Sequence, residues 1–249
     1  MAENATEMSN FVYKTIKFAS TANSEHVLNA LMLGEKLGMG GEMEYARVSL
    51  EEMANGTDKH GYTTAGFISD SSYSIQKLYE ADTAWDSSTI INLLNENDVG
   101  LINHLGHGNT DKVMKVTNGQ FIQLTNTNLF FLYSQACYPG AFDMDSAAER
   151  LTTSSRKGAV AVMLNSRYGW GNQFTTDSPS SHFAREFWDA YFGEGKYLLG
   201  EINEDSHEDN IWRVSDPHDR WVFFETNLHG DPHLSIRHKE AELIIQVKQ

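Results

Sequence analysis

Three stretches of this chain, Val99–Leu105, Leu129–Tyr133 and Gly158–Leu164, are predominantly apolar. A run this short with apolar side chains on both of its faces is satisfied in a strand covered on both sides, as in a parallel sheet under helices. A fourth run, Ala30–Leu33, ends at Gly34-Glu35 and reads the same way. Helical spacing falls between and around these runs. Ser9–Ala19 carries Phe11, Val12, Ile16 and Phe18, and Val48–Ala54 turns Glu51 and Glu52 outward. Asp86-Ser87-Ser88 offers N-cap chemistry before Ile90, Ile91, Leu93 and Leu94, and Ser180 and Ser181 precede Phe183, Phe187, Ala190 and Tyr191. Thr63–Ile68, Trp221–Glu225 and Leu234–Arg237 are predicted as further strands. This alternation predicts an α/β fold, a mostly parallel sheet flanked by helices on both faces.

The length, 249 residues, suits one domain with an ample core. There is no internal repeat, and the 4 prolines sit in loop-like segments. The formal net charge of −15 opposes sequence-independent nucleic-acid binding, which needs a basic face. No stretch of about 20 apolar residues is present, so no membrane span is expected. Met1–Glu7 lacks the basic start and apolar core of a signal peptide. One cysteine, Cys137, excludes an intrachain disulfide framework and a cysteine zinc cluster. It is either a small buried hydrophobe or a reactive thiol.

Its surroundings favour the thiol. In parallel α/β sheets ligands sit beyond the carboxyl ends of the strands. One apolar run ends in Gly106-His107-Gly108 and the next in Gln135-Ala136-Cys137. Thirty residues separate His107 from Cys137, enough for one strand, a crossover and the next strand. Thiol peptide hydrolysis needs a base beside the thiol, an acid for the leaving amine and N–H groups aimed at the oxyanion. His107 can serve as base and acid, Cys137 as nucleophile, and the N–H groups of Gly108 and Cys137 as oxyanion donors. Ala136 is small enough to let the thiol face a cleft.

These segments resemble the active-site signature of the caspase, legumain and gingipain group of cysteine peptidases, and within it the gingipain type. Asn103–Asn109 resembles the family's histidine segment and Ser134–Phe142 its cysteine segment. Gly158–Val162 through Tyr168-Gly169-Trp170 resembles the strand and tryptophan loop that follow, and Leu228–Leu234 the closing Gly-Asp-Pro element. Val12–Phe18 resembles the helix that joins the family's two subdomains. The resemblance implies a caspase-like fold, with an N-terminal helix or connector over 1–22 and a catalytic domain over 23–249. The family's N-terminal subdomain, export signal and pro-segment are then expected to be missing from this chain.

The resemblance also implies roles. Glu35 falls where the family places an acid near the catalytic histidine, where it would orient the imidazole. Glu42 and Glu44 lie near the position of a substrate-pocket acid in basic-specific members, which implies cleavage after Arg or Lys. Trp170 resembles the pocket-covering tryptophan, with Asn165, Ser166 and Tyr168 expected to line the same pocket; Arg167 would add positive charge there. Peptides or proteins are the implied partners, in an extracellular or cell-surface setting. No cofactor is required for the chemistry. Structural calcium, bound by some relatives, is compatible with the acidic clusters of Asp143, Asp145, Glu204, Asp205, Glu208 and Asp209, although no EF-hand spacing is present and a solvated charge run is the competing reading.

Other readings remain open at this level. His104, His107, His229 and His233 could serve a metal hydrolase, although no His/Glu helix motif is present. A peptidase relative retained as a binding or scaffold domain is a second. A nucleotide-binding Rossmann domain is a third, and it lacks Gly-x-Gly-x-x-Gly after the first strand. His104, within the strand pattern, reads as a core residue or as support for the site.

Overall fold

All four buried runs form strands, and their alternate side chains sort into two cores. The computed structural model describes residues 2–20, 25–96 and 98–236. The chain runs through α1 (Ala5–Ser20), β1 (Asn29–Gly34), α2 (Arg47–Asn55), β2 (Ser74–Tyr79), α3 (Ser87–Asn95) and β3 (Leu101–Leu105). Then come β4 (Gly108–Asn109), β5 (Lys112–Val113), β6 (Val116–Thr117), α4 (Asn118–Phe121), β7 (Phe130–Ser134), α5 (Ala147–Thr152) and β8 (Ala159–Asn165). The last elements are α6 (Pro179–Phe192), α7 (Leu199–Asp209), α8 (Pro217–Glu225) and β9 (Thr226–His229).

The main sheet has six strands in the order β2-β1-β3-β7-β8-β9. All pairs are parallel except β8 with β9. Ala30 and Met32 of β1 join Phe131 and Tyr133 of β7 in one core, covered by Leu50 and Met53 of α2, Phe187 and Trp188 of α6 and Ile202 of α7. Leu31 and Leu33 join Phe130 and Leu132 in the other, covered by Ile90 and Leu94 of α3, Phe121 of α4 and Leu151 of α5. The two-residue side-chain period thus accounts for apolar residues at every position. The mostly parallel sheet with helices on both faces is the architecture the runs predict.

Helix α1 is docked on this unit through three buried residues, Asn10, Lys14 and Phe18. Asn10 Nδ2 donates to the Thr153 carbonyl at 3.0 Å and Lys14 Nζ to those of Leu151 and Lys157 at 2.6 and 3.0 Å. Burial pulls Lys14 down to about 7.

Several predicted elements change type. Thr63–Ile68 is not a strand: Thr64 makes an isolated bridge to Thr57, and Phe67–Ser69 is a 3-10 turn. The strand lies later, at β2, a sheet edge whose mostly solvated Ser-Ile-Gln-Lys-Leu-Tyr has no continuous apolar run. Trp221–Glu225 is helical because Asp216 and Pro217 start a helix there. The Asp216 carboxylate accepts from the N–H groups of His218 and Asp219, and Pro217 occupies the first turn. That local chemistry overrides the β-propensity of Trp221, Phe223 and Phe224. Helix α6 begins at Pro179 after Ser178, ahead of the expected caps Ser180 and Ser181. Of Leu234–Arg237, Ser235 forms an isolated bridge with Leu198, and Arg237 lies outside the described residues.

The chain leaves β1 toward β2 on one side, then returns to β3 on the other. Strand order therefore reverses between β1 and β3, and the crevice beyond their carboxyl ends is the expected ligand position. Glu35 follows β1 and Gly106-His107 follows β3.

Candidate active site

His107 leaves the sheet exposed at the end of β3. Its Nε2 lies 3.0 Å from the main-chain carbonyl of Lys36. A carbonyl only accepts, so Nε2 carries the proton, and in the neutral ring Nδ1 keeps the free lone pair. The Lys36 main chain is itself held on its other side, where its N–H donates to Glu80 Oε2 at 2.6 Å. The other Glu80 oxygen meets Lys115, whose ammonium also bonds the Trp85 carbonyl at 3.1 Å and lies 4.2 Å from the Trp85 ring centroid. Lys115 belongs to the tight turn between β5 and β6, where Met114 and Lys115 both take positive φ (54° and 60°). The small β4-β5-β6 sheet that follows His107 therefore also braces the carbonyl that orients its ring.

A buried polar chain joins the histidine and cysteine segments. The N–H of Ala136 donates to Ser134 Oγ at 3.2 Å, and Ser134 Oγ lies 2.7 Å from His104 Nδ1. His104 Nε2 meets Glu35 Oε1 at 3.1 Å, and Glu35 Oε2 accepts from the His107 N–H at 3.2 Å. Burial would raise the Glu35 carboxyl, but the hydrogen bond and charge of His104, the His107 N–H and Lys115 outweigh it and hold the group below the usual range. Gly106 makes the packing feasible: a Cβ there would lie 2.5 Å from Glu35 Cδ and 2.6 Å from His104 Nε2. Glu35 thus grips the His107 main chain and the His104 ring. It does not bond the His107 imidazole, which corrects the expected orienting contact: the Lys36 carbonyl takes that place. His104 supports the site from the core.

Cys137 lies three residues past the end of β7, on a bend. Tyr138 adopts φ 71°, unusual for a side chain of this size, and its N–H donates to the Arg167 carbonyl at 2.7 Å. The half-buried thiol lies 3.8 Å from the Gly169 carbonyl. Burial pushes its pKa up, and the charge of Glu225 adds to that. The resting group is therefore the thiol, and a base must take its proton as substrate arrives. Gly108 packs closely here, since a Cβ on it would lie 2.9 Å from Ala136 Cβ and 3.2 Å from the Cys137 carbonyl.

His107 and Cys137 line one cleft of about 310 Å³, together with Leu37, Met39, Met43 and Trp170. Of the expected substrate contacts, only Trp170 is there; its N–H donates to Ser180 Oγ at 2.8 Å and its ring stands 4.4 Å from that of His218. Asn165 is instead a buried clamp between strands, donating to the Gln135 carbonyl at 3.1 Å and accepting from Thr226 Oγ1 at 3.0 Å. Ser166 is buried on the Glu225 carbonyl at 3.1 Å. Tyr168 is exposed, its ring 4.7 Å from that of Tyr138. Glu42 and Glu44 also lie outside the cleft. Glu42 meets Lys59 Nζ and the Thr176 N–H, both at 3.4 Å. Glu44 meets Lys36 Nζ at 3.2 Å and the Gly40 N–H at 3.3 Å. The reason is a hairpin-like turn, in which Leu37 and Met39 N–H groups bond the carbonyls of Glu44 and Met43. Alternate residues face opposite ways, so Met43 enters the cleft and the acids on either side leave it. The glycines at 38, 40 and 41 signalled a loop, but only a paired register could have identified Met39 and Met43.

Glu225 carries no signal in the sequence. Burial, partly offset by the N–H and charge of Arg167, pushes it up to about 8. Its Oε2 accepts from the Arg167 N–H at 3.0 Å, while Oε1 has no hydrogen-bond partner. Its folded pKa lies above the ordinary value of 4.5, so its contribution to stability is full at low pH and is lost as pH rises toward 8. Glu225→Gln is expected to leave the melting temperature at pH 5 within a few degrees and to raise it at pH 8.5. Thermal melts of both proteins at the two values check this; a variant that melts lower at pH 8.5 contradicts it.

Part of the acidic clusters is paired internally. Asp143 makes a two-pronged pair with Arg167 at 3.1 and 3.0 Å, and Asp145 meets Arg150 at 2.7 Å. Glu204, Asp205, Glu208 and Asp209 lie on α7 rather than on a loop. The Lys196 ammonium pairs with both Asp205 and Glu194. Carboxylates of Glu194, Asp205 and Asp209, and of Glu3, Asp145 and Glu149, each come within 4.8 Å of one another, so structural calcium stays an expectation at these two places. Among the described residues, His104, His107, His229 and His233 form no metal-ligating cluster. His104 is enclosed by Ser134 and Glu35, and His229 is buried and pushed down to about 4 by burial. No helix among the described residues is long and apolar enough to cross a membrane.

The family model of peptidase family C25 matches residues 1–237 of this chain. Among solved structures, the chain is similar to the crystal structure of the Arg-specific cysteine proteinase gingipain R, with TM-score 0.77 and 20% identity over 95% of this chain and 54% of that one. It is also similar to a complex of the pro- and mature domains of Porphyromonas gingivalis RgpB, with TM-score 0.73 and 19% identity over 95% of this chain and 55% of that one. A third structure, described as a protease, has TM-score 0.68 and 16% identity over 94% and 54% of the two chains. The chain spans about half the length of these structures. At such identities the likeness is one of fold, the caspase-like arrangement of sheet and helices. No curated protein matches the chain.

Proposed function

This chain belongs to peptidase family C25, the gingipain family of cysteine peptidases, and on that premise we propose that it hydrolyses peptide bonds through Cys137 and His107. The observation that carries the reading is that these two side chains line one cleft at the carboxyl ends of adjacent parallel strands. The Lys36 carbonyl fixes the tautomer that leaves Nδ1 of His107 as the proton acceptor.

In the proposed reaction Cys137 Sγ attacks the scissile carbonyl carbon as its proton passes to His107 Nδ1. The carbonyl oxygen becomes an oxyanion held by the N–H groups of Gly108 and Cys137. The C–N bond then breaks, the departing nitrogen takes the proton from His107, and a thioester remains on Cys137. Water, losing a proton to His107, attacks the thioester. Collapse releases the carboxyl product and returns the proton to the thiol. No cofactor enters this sequence. Glu35 acts through the His107 main chain as a positioning residue. Peptides or proteins are the substrates, and the family implies an extracellular or cell-surface setting.

The test is labelling with peptidyl acyloxymethyl ketones, followed by mass mapping and a fluorogenic peptide assay. Thioether formation at Cys137, lost in His107→Ala, together with peptide turnover is the expected result. A thiol that iodoacetamide modifies but no peptidyl ketone does, with no peptide hydrolysed, overturns the reading.

A further inference from the structure

Resting on the peptidase reading above, we infer that the cleft beside Cys137 accepts a large uncharged side chain, of the methionine or leucine kind, immediately before the scissile bond, and rejects arginine and lysine. Leu37, Met39, Met43 and Leu105 form an apolar wall, Trp170 faces it, and no carboxylate is among the residues that line the cavity of about 310 Å³. Met43 is buried, and Met39 is packed against the main core. Both thioethers lie along Gly171, where a Cβ would stand 3.0 Å from Met39 Sδ and 3.9 Å from Met43 Cε. Flexible, polarizable methionines conform to an unbranched or γ-branched apolar side chain.

Glu225, the acid that acts on Cys137, is buried and does not line the cavity, and the other acids nearby are committed elsewhere. Glu42 and Glu44 turn away to Lys59 and Lys36. Glu35 is enclosed by His104 and the His107 N–H. Glu52 pairs with Lys59 at 2.8 Å and accepts from Thr176 Oγ1 at 2.9 Å. Asp177 pairs with His182 at 2.7 Å. A guanidinium or ammonium in the cleft would lose its water and gain no counter-charge, a cost that exceeds anything the apolar stem returns.

A second observation points the same way. Gln135 lines the cleft, is 5% exposed, and its Nε2 has no hydrogen-bond partner. Its other amide atom faces Ser181 Oγ at 3.4 Å. An unpaired N–H₂ on a lining residue disfavours a cation beside it and is met by an acceptor, such as the weak one a thioether sulfur offers.

The experiment is a fluorogenic tetrapeptide series varied only at the residue before the cleaved bond, run beside norleucine and arginine acyloxymethyl ketones mapped on Cys137. Met, Leu and norleucine are expected to exceed Arg and Lys in kcat/KM by about 100-fold or more. Met43→Glu is expected to move that ratio toward Arg and Lys by about 10-fold or more. Since Met43 is buried, Met39→Glu on the more open part of the wall serves as the second variant if Met43→Glu melts early. Peptide turnover with Arg or Lys equal to or faster than Met overturns this inference and leaves the peptidase reading standing. No turnover and no ketone labelling, with Cys137 still modified by iodoacetamide, overturns both.

Discussion

Cys137→Ala and His107→Ala are each expected to lower kcat/KM for peptide hydrolysis by on the order of 10⁴-fold or more, with melting temperatures within a few degrees of the parent. The double variant is expected to be no worse than either single one, because the two groups act as a unit and removing one disables the other. The thiol is held protonated by burial, so without His107 it has no local base. Without Cys137 the imidazole has no nucleophile to activate. Neither change should disturb the fold. The His107 side chain is exposed, and Cys137 is half-buried on a bend, its thiol 3.8 Å from the Gly169 carbonyl. Michaelis–Menten kinetics on purified variants, with circular dichroism melts, check both halves. Turnover retained in Cys137→Ala would remove the thiol from the mechanism, and a variant that unfolds would make the residue structural.

The parts legible in the sequence were those set by local pattern. The runs at β1, β3, β7 and β8 announced a covered parallel sheet, and the residues that end β3 and β7 placed an imidazole and a thiol at its carboxyl edge. What was not legible depended on long-range geometry. The Lys36 carbonyl that orients His107 is a main-chain atom, so no side-chain chemistry marks it. Glu80, which accepts from the Lys36 N–H, follows an edge strand whose polarity hid it. Glu42 and Glu44 were reasonable candidates by position, but a single-residue step along the turn exchanges a carboxylate for Met43 on the cleft side. Asn165 and Ser166 have the polarity expected of a binding loop and use it to tie β8 to its neighbours. The turn at Tyr138 takes a left-handed backbone without a glycine, and such a conformation leaves no trace in composition.

The Glu35 chain makes the second large effect a thermodynamic one. Glu35 is 3% exposed, and its two oxygens accept from two different groups, His104 Nε2 and the His107 N–H. Glutamine has one acceptor oxygen and one donor, so Glu35→Gln necessarily faces one of these hydrogens with its own N–H₂. Glu35→Ala leaves His104 and the His107 N–H with a void between them. Removing one member of a buried charged and hydrogen-bonded set costs about 3–5 kcal/mol, so either variant is expected to lose stability on that scale at pH 7. The sign with pH follows from the depressed folded pKa of Glu35. Its contribution is present above the ordinary value of 4.5 and is lost as pH falls through the lower folded value. The gap between parent and Glu35→Ala should therefore be widest near pH 7 and close under acid conditions. Urea titrations at pH 7, 5 and 3.5 measure it. Activity should fall too, through His107: with its main-chain anchor gone, the imidazole loses the setting that points Nε2 at Lys36, and kcat should drop more than KM rises. A variant that keeps parental stability at pH 7 but loses activity would assign Glu35 to the reacting groups. One that loses stability equally at every pH would show that its charge contributes nothing and that packing alone holds the crevice.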